Sequence, residues 1–68
     1  MEWNQIERRW MELQERSAEQ WGKLTDDELR LTGGNRERLS ALLQKKYAIG
    51  REHAEMQIAA FERRLGSA

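Results

Sequence analysis

Gln20-Trp21-Gly22-Lys23-Leu24-Thr25-Asp26-Asp27-Glu28-Leu29 holds the end of one helix, a corner and the start of the next. Trp21 closes an apolar stripe, and Gly22 stands where a residue in the left-handed conformation ends a helix. Thr25 suits an N-cap, with Glu28 three residues on at the spacing of a capping box. Leu24 and Leu29 then fall at the two positions of a hydrophobic staple, which fixes the angle at which the chain re-enters a helix. The stretch predicts helix, corner, helix, and so an all-α fold.

Upstream of the corner, Trp3, Ile6, Trp10, Leu13, Ser17, Trp21 and Leu24 share a face about 80° wide when each residue turns by about 100°. That predicts one long amphipathic helix with Asn4 as its N-cap. Its three tryptophans read as core anchors, because each supplies the large apolar area a small bundle needs. Downstream, the second helix starts after Thr25 and runs to about Thr32, where Gly33 and Gly34 stop it. Asp26, Asp27 and Glu28 suit its positive first turn, so capping accounts for the acids without a metal. Asn35 caps a third helix carrying Leu39, Leu42, Leu43 and Tyr47, and a fourth places Ala54, Ile58, Phe61 and Leu65 on one stripe. Gly66-Ser67-Ala68 is expected to fray. Helices this short bury their stripes only against one another, which predicts a compact four-helix domain over residues 1–68.

Composition narrows the function. The chain has 68 residues, no cysteine, and twelve basic residues against twelve acidic ones. A domain of this size buries only about 60% of its unfolded surface, and packing and capping must do what disulfides do elsewhere. The start, Met1-Glu2-Trp3-Asn4, lacks a basic segment and an apolar run, and nothing approaches the roughly 20 apolar residues of a membrane span. The reading is cytoplasmic, with no membrane role. Zero net charge removes the strongest argument for a dedicated polyanion binder, yet residues 30–51 carry six bases and one acid. Arg30, Arg38, Lys45 and Arg51 are therefore the candidate nucleic-acid contacts, and four phosphates neutralised would give a salt slope of about −3.6.

Catalytic chemistry is thin. His53, the one histidine, reads as a solvated residue of the fourth helix, and Tyr47 as a stripe residue with a wet hydroxyl. Gly33-Gly34-Asn35-Arg36 lacks the spacing of a phosphate-binding motif and reads as an interhelix turn. These observations predict a protein that is not an enzyme and needs no cofactor.

The 20–29 stretch resembles the CsbD-like family of small bacterial stress-response proteins, in which a Trp-Gly-Lys-Leu-Thr-Asp-Asp segment follows a tryptophan-bearing first helix. The resemblance spans most of the chain, from Trp3 and Trp10 through Trp21, Gly22, Leu24, Thr25, Glu28 and Leu29 to Arg36, Leu39, Gln44, Tyr47, Ala54, Glu55, Gln57 and Phe61. Two features depart from the family. Met11, Gln14, Glu15 and Ala18 stand in a region usually rich in lysine with a glycine, and Ala48 stands where a glycine usually follows the tyrosine. The resemblance implies two helical hairpins packed crosswise, similar to a SAM-like bundle. It also implies a general stress-response role, under envelope, osmotic or nutrient stress, as a structural or interaction module for an unknown protein partner. Weak nucleic-acid binding is the alternative, and the state in solution is read as a monomer or weak homodimer, with Met11, Met56 and Trp3 as the candidate contacts.

Two expectations about stability follow. Thr25→Ala should cost about 1 kcal/mol, with Glu28→Ala costing less because it supports one side of the box. Trp21→Ala should cost about 3 to 5 kcal/mol, comparable with the whole stability of a domain this size, and leave the protein largely unfolded. Thermal unfolding followed by circular dichroism checks it; a cooperative melt within a few degrees of the parent would place the indole outside the core.

Overall fold

A straight helix over residues 3–24 would be about 33 Å long at 1.5 Å per residue, more than the 29 Å longest extent of the folded chain. The computed structural model, which describes residues 2–66, resolves this by breaking the helix. It contains five helices: α1 (Trp3–Arg8), α2 (Trp10–Gln20), α3 (Asp26–Thr32), α4 (Arg36–Tyr47) and α5 (Arg51–Gly66). The expected four-helix, crosswise SAM-like bundle is corrected accordingly. α2 packs chiefly on α3 and α4 on α5, and α1 adds a short arm to α2.

The break lies at Arg9, whose backbone leaves helical geometry at φ −103° and ψ 23°. Its N–H is shared at 3.1 Å between the carbonyls of Gln5 and Ile6, the tightened last turn with which a helix ends. Asn4 is not the cap. Glu2 is, with the Gln5 side-chain oxygen accepting from its N–H at 3.1 Å. At the other end α2 stops at Gln20, and Trp21 itself leaves the helix with φ −126° and ψ 83°. Gly22 has no left-handed backbone, which among the described glycines belongs to Gly33 and Gly34. The corner is made by Trp21 turning inward, with the Leu24 N–H donating to the Trp21 carbonyl at 3.0 Å.

Ile6, Trp10, Leu13, Trp21, Leu24, Leu29, Leu39, Leu43, Ala54, Ile58 and Phe61 form one core, with Leu42, Tyr47 and Leu65 packed at its edge. The predicted stripes are its material, although Trp3, like Leu42, Tyr47 and Leu65, is only half-buried. Trp21 meets Phe61 at 4.9 Å in a tilted arrangement, and its indole N–H donates to Gln57 at 2.9 Å. Ser17, inside the stripe, is buried because its hydroxyl donates to the Leu13 carbonyl one turn back.

The Gly33-Gly34 turn seats the first arm. The Trp10 indole N–H donates to the Leu29 carbonyl at 2.7 Å, and that of Trp3 to the Gly34 carbonyl at 2.8 Å. A Cβ on Gly34 would stand 3.0 Å from the Glu7 Cα and 3.1 Å from the Trp10 ring, on a backbone with φ +80°. At the far end of α4 the left-handed residue is Ala48, at φ 53° and ψ 47°, where a side chain carries a steric cost that glycine escapes. Gly50 instead offers its carbonyl to the Ala54 N–H at 3.0 Å and so starts α5. Gly66 closes α5, and Ser67 and Ala68 lie outside the described residues. Among the described residues, no helix is long and apolar enough to cross a membrane.

The two glycines on either side of α3 should respond oppositely to one added methyl. Gly34→Ala combines left-handed strain with a backbone clash and should cost about 2 to 4 kcal/mol. Gly22→Ala meets nothing within 4 Å and should change stability by less than about 0.5 kcal/mol. Paired urea melts read both; a Gly34→Ala protein as stable as its parent would show that α1 is not seated on the turn.

Candidate functional site

The corner is clamped as well as capped. The Glu28 N–H donates to the Thr25 hydroxyl at 3.1 Å and the Thr25 N–H returns a bond to the Glu28 carboxylate at 3.0 Å. That carboxylate also pairs with Lys46 of α4 at 2.6 Å, both side chains being about two-thirds or more shielded. The Lys46 ammonium foremost, then the Thr25 N–H, holds the Glu28 carboxyl below its usual range. One residue on, the Tyr47 hydroxyl accepts from the Lys23 N–H at 3.2 Å, and the Lys23 ammonium lies 5.2 Å over the Tyr47 ring. The wet hydroxyl expected of Tyr47 is thus a second clamp between the corner and the end of α4. Neither clamp is visible as spacing, because Lys46 and Tyr47 stand about twenty residues downstream of their partners.

The three acids of the corner have separate duties. Asp27 pairs with Arg30 at 2.6 Å on an exposed surface, Glu28 caps α3, and Asp26 stays in solvent while its carbonyl accepts from the Gln14 amide at 3.3 Å. His53 is exposed on the first turn of α5.

Beside the corner, α3 and α4 leave an open groove of about 430 Å³, lined by Leu31, Thr32, Ala41 and Leu42, by the cations Arg38 and Lys45, and by Glu28, whose charge is met by Lys46. Leu31 lies two residues after the buried Leu29 and so about 200° around the helix; it is 75% exposed. That offset is legible in the sequence, although Leu31 stands on none of the predicted stripes. Arg38 and Lys45 share one face of α4, as their seven-residue spacing requires, and neither side chain joins a salt bridge among the described residues.

The other bases disperse. Arg30 is held by Asp27, Lys46 by Glu28, and Arg36 by Glu55 at 3.2 Å while it also covers the Trp3 ring at 5.6 Å. Arg51 lies across the Ala41 ridge, in a different depression with Glu37 and Glu55. Of the four candidate nucleic-acid contacts, the fold brings together Arg38 and Lys45 and separates Arg30 and Arg51. The arrangement offers an apolar floor between two cations, chemistry suited to holding a side chain flanked by acids.

Several proteins are similar to this chain in sequence. A UPF0337 protein of Nitrosomonas europaea is 51% identical over 61 residues, and the match spans 90% of this chain and 65% of that relative's length. A UPF0337 protein of Bordetella pertussis is 42% identical over 53 residues, covering 78% of this chain and 80% of the relative. One of Pseudomonas aeruginosa is 38% identical over 60 residues, covering 88% and 92%. No family model matches the chain, and no solved structure does.

The clamp makes a prediction about acid. A carboxyl whose folded pKa is lowered stabilises the fold above the unfolded carboxylate range, near pH 4, and that contribution fades as pH falls through the folded value. At pH 7, Glu28→Ala should therefore melt below Thr25→Ala, the reverse of the order the capping box alone suggests. As the pH falls below the unfolded carboxylate range and through the folded value the gap should narrow, since other carboxylates titrate alike in both variants. A Glu28→Ala melting temperature above that of Thr25→Ala at pH 7 would remove Lys46 from the account.

Proposed function

The chain belongs to the UPF0337 family, and from that membership we propose that it is a small, non-enzymatic stress-response protein of bacteria that works in the cytoplasm as an interaction module. The resemblance of its 20–29 stretch to the CsbD-like family supports the stress role. The relatives' names carry a family and no activity, so the molecular reading rests on the surface. The observation that carries it is the α3–α4 groove, with Leu31 three-quarters exposed between two cations that have no salt-bridge partner among the described residues.

Inside the fold, polar chemistry serves architecture. The Ser17 and Thr32 hydroxyls donate to the Leu13 and Leu29 carbonyls, and Ser40 accepts from Gln44. No buried side-chain nitrogen or oxygen among the described residues lacks a partner, which leaves recognition to exposed groups. An exposed leucine in a shallow groove suits a protein side chain, and cations at the rim add specificity more than affinity.

Nucleic-acid binding is the alternative, favoured by the same Arg38 and Lys45. With two convergent cations instead of four, its salt slope should be about −1.8, so such binding would fade at physiological salt.

A photo-reactive residue at Leu31, in stressed cells, separates the two. The interaction reading expects a protein adduct at Leu31 that is absent with the probe at exposed His53 and lost with Arg38→Glu and Lys45→Glu. Duplex DNA titrated in parallel should bind weakly at low salt alone. Absence of a Leu31-specific protein adduct, or sub-micromolar DNA binding that survives physiological salt and vanishes in the double reversal, would overturn the reading.

A further inference from the structure

We propose that the α3–α4 groove receives the outer face of α2 from a second copy of this chain, an inference that rests on the interaction-module reading and names the partner. The complementary surface is already on the molecule. Met11, at 92% the most exposed large apolar side chain described, stands at the start of α2. Glu12, Glu15 and Glu19 follow it on the solvent side, all exposed. At about 100° per residue these four span about 100° of the helix, turned away from buried Trp10, Leu13 and Ser17.

The two surfaces match in chemistry and in length. One offers an exposed methionine beside acids; the other offers an exposed leucine between bases. Glu12 and Glu19 are seven residues apart, as are Arg38 and Lys45, and seven residues of helix rise about 10.5 Å. A methionine is unbranched and deformable, so it fits a shallow apolar floor without a shaped pocket. Arg16 borders the acidic face and lines a depression with Glu19, Gln20, Phe61 and Arg64.

The match is not satisfied within one molecule. α2 packs on α3 through its opposite side, and among the described residues no ion pair joins its acids to Arg38 or Lys45. Zero net charge over the chain means that copies approach without mean repulsion, while the acidic first part and basic middle favour an oriented encounter. Because different surfaces meet, the contact is heterologous. Few residues take part, so association is weak and salt-sensitive.

Sedimentation equilibrium of the full chain tests this. At low salt and about 1 mM protein the average mass should exceed that of the monomer, and it should fall back at high salt. The pair Arg38→Glu and Lys45→Glu should lower the association constant about tenfold or more, as should the pair Glu12→Lys and Glu19→Lys, each turning attraction into repulsion. All four positions are exposed, and circular dichroism confirms the fold of each variant. An equimolar mixture of the two variants should associate again, since the native groove of the α2 variant meets the native α2 of the groove variant, and the acidic groove of one meets the basic α2 of the other. A parent that stays monomeric at low salt, variants that associate unchanged, or a mixture that stays monomeric would each overturn the proposal. If it fails while the Leu31 probe still captures a different protein in cells, the interaction reading stands with another partner; if the probe also fails, both fall.

Discussion

The buried hydrogen bond from the Trp10 indole to the Leu29 carbonyl, 2.7 Å long, is the joint on which the rest of the molecule depends. α3 has seven residues, too few to persist alone, and its last carbonyls lack the i+4 amide partners of a longer helix. The Leu29 carbonyl accepts from the Thr32 hydroxyl within α3 at 2.6 Å and from Trp10 on a different helix. That fixes α2 against α3 and places the turn that follows, so that Gly34 lies beneath Glu7 and Trp10 and its carbonyl is available to Trp3. The start of α4, capped by Asn35 at 3.0 Å, inherits its position from the same turn.

A chain of this size without cysteine needs side chains that act as both filler and fastener, and its tryptophans do so. Each indole adds apolar area, and each N–H donates to a separate segment: Trp3 to Gly34, Trp10 to Leu29, Trp21 to Gln57. This explains why Trp3 is held although half-buried, its outer face being covered by the Arg36 guanidinium. The same economy leaves little polar chemistry in the interior for anything but architecture, so distinctive chemistry collects at the surface between α3 and α4.

There the basic middle of the chain is divided by the fold. Lys46, Arg36 and Arg30 each meet an acid, two of those acids lying on other elements. A linear excess of bases thereby becomes a pair of cations beside an exposed leucine. Charge counted along the chain suggests a polyanion surface; charge placed in space suggests a protein contact.

The sequence by itself determined the helices and their local punctuation. Thr25 with Glu28 and Asn35 with Arg38 act over three residues, and the Leu39, Leu43, Ala54, Ile58 and Phe61 stripes follow from helical periodicity alone. The corner at residues 20–29 was legible as a corner, though not the means of turning it, since Gly22 offers freedom and Trp21 supplies the buried anchor. Only the tertiary structure decided where the first helix breaks, because a stripe from Trp3 to Leu24 is continuous in sequence while the body available to cover it is shorter than the helix. It likewise decided that Tyr47 and Lys46 clamp the corner and that Arg38 and Lys45 remain at the groove while the neighbouring bases are drawn into pairs. Local rules act through bonds between near neighbours, whereas which distant group meets which depends on how helices of finite length close around one small core.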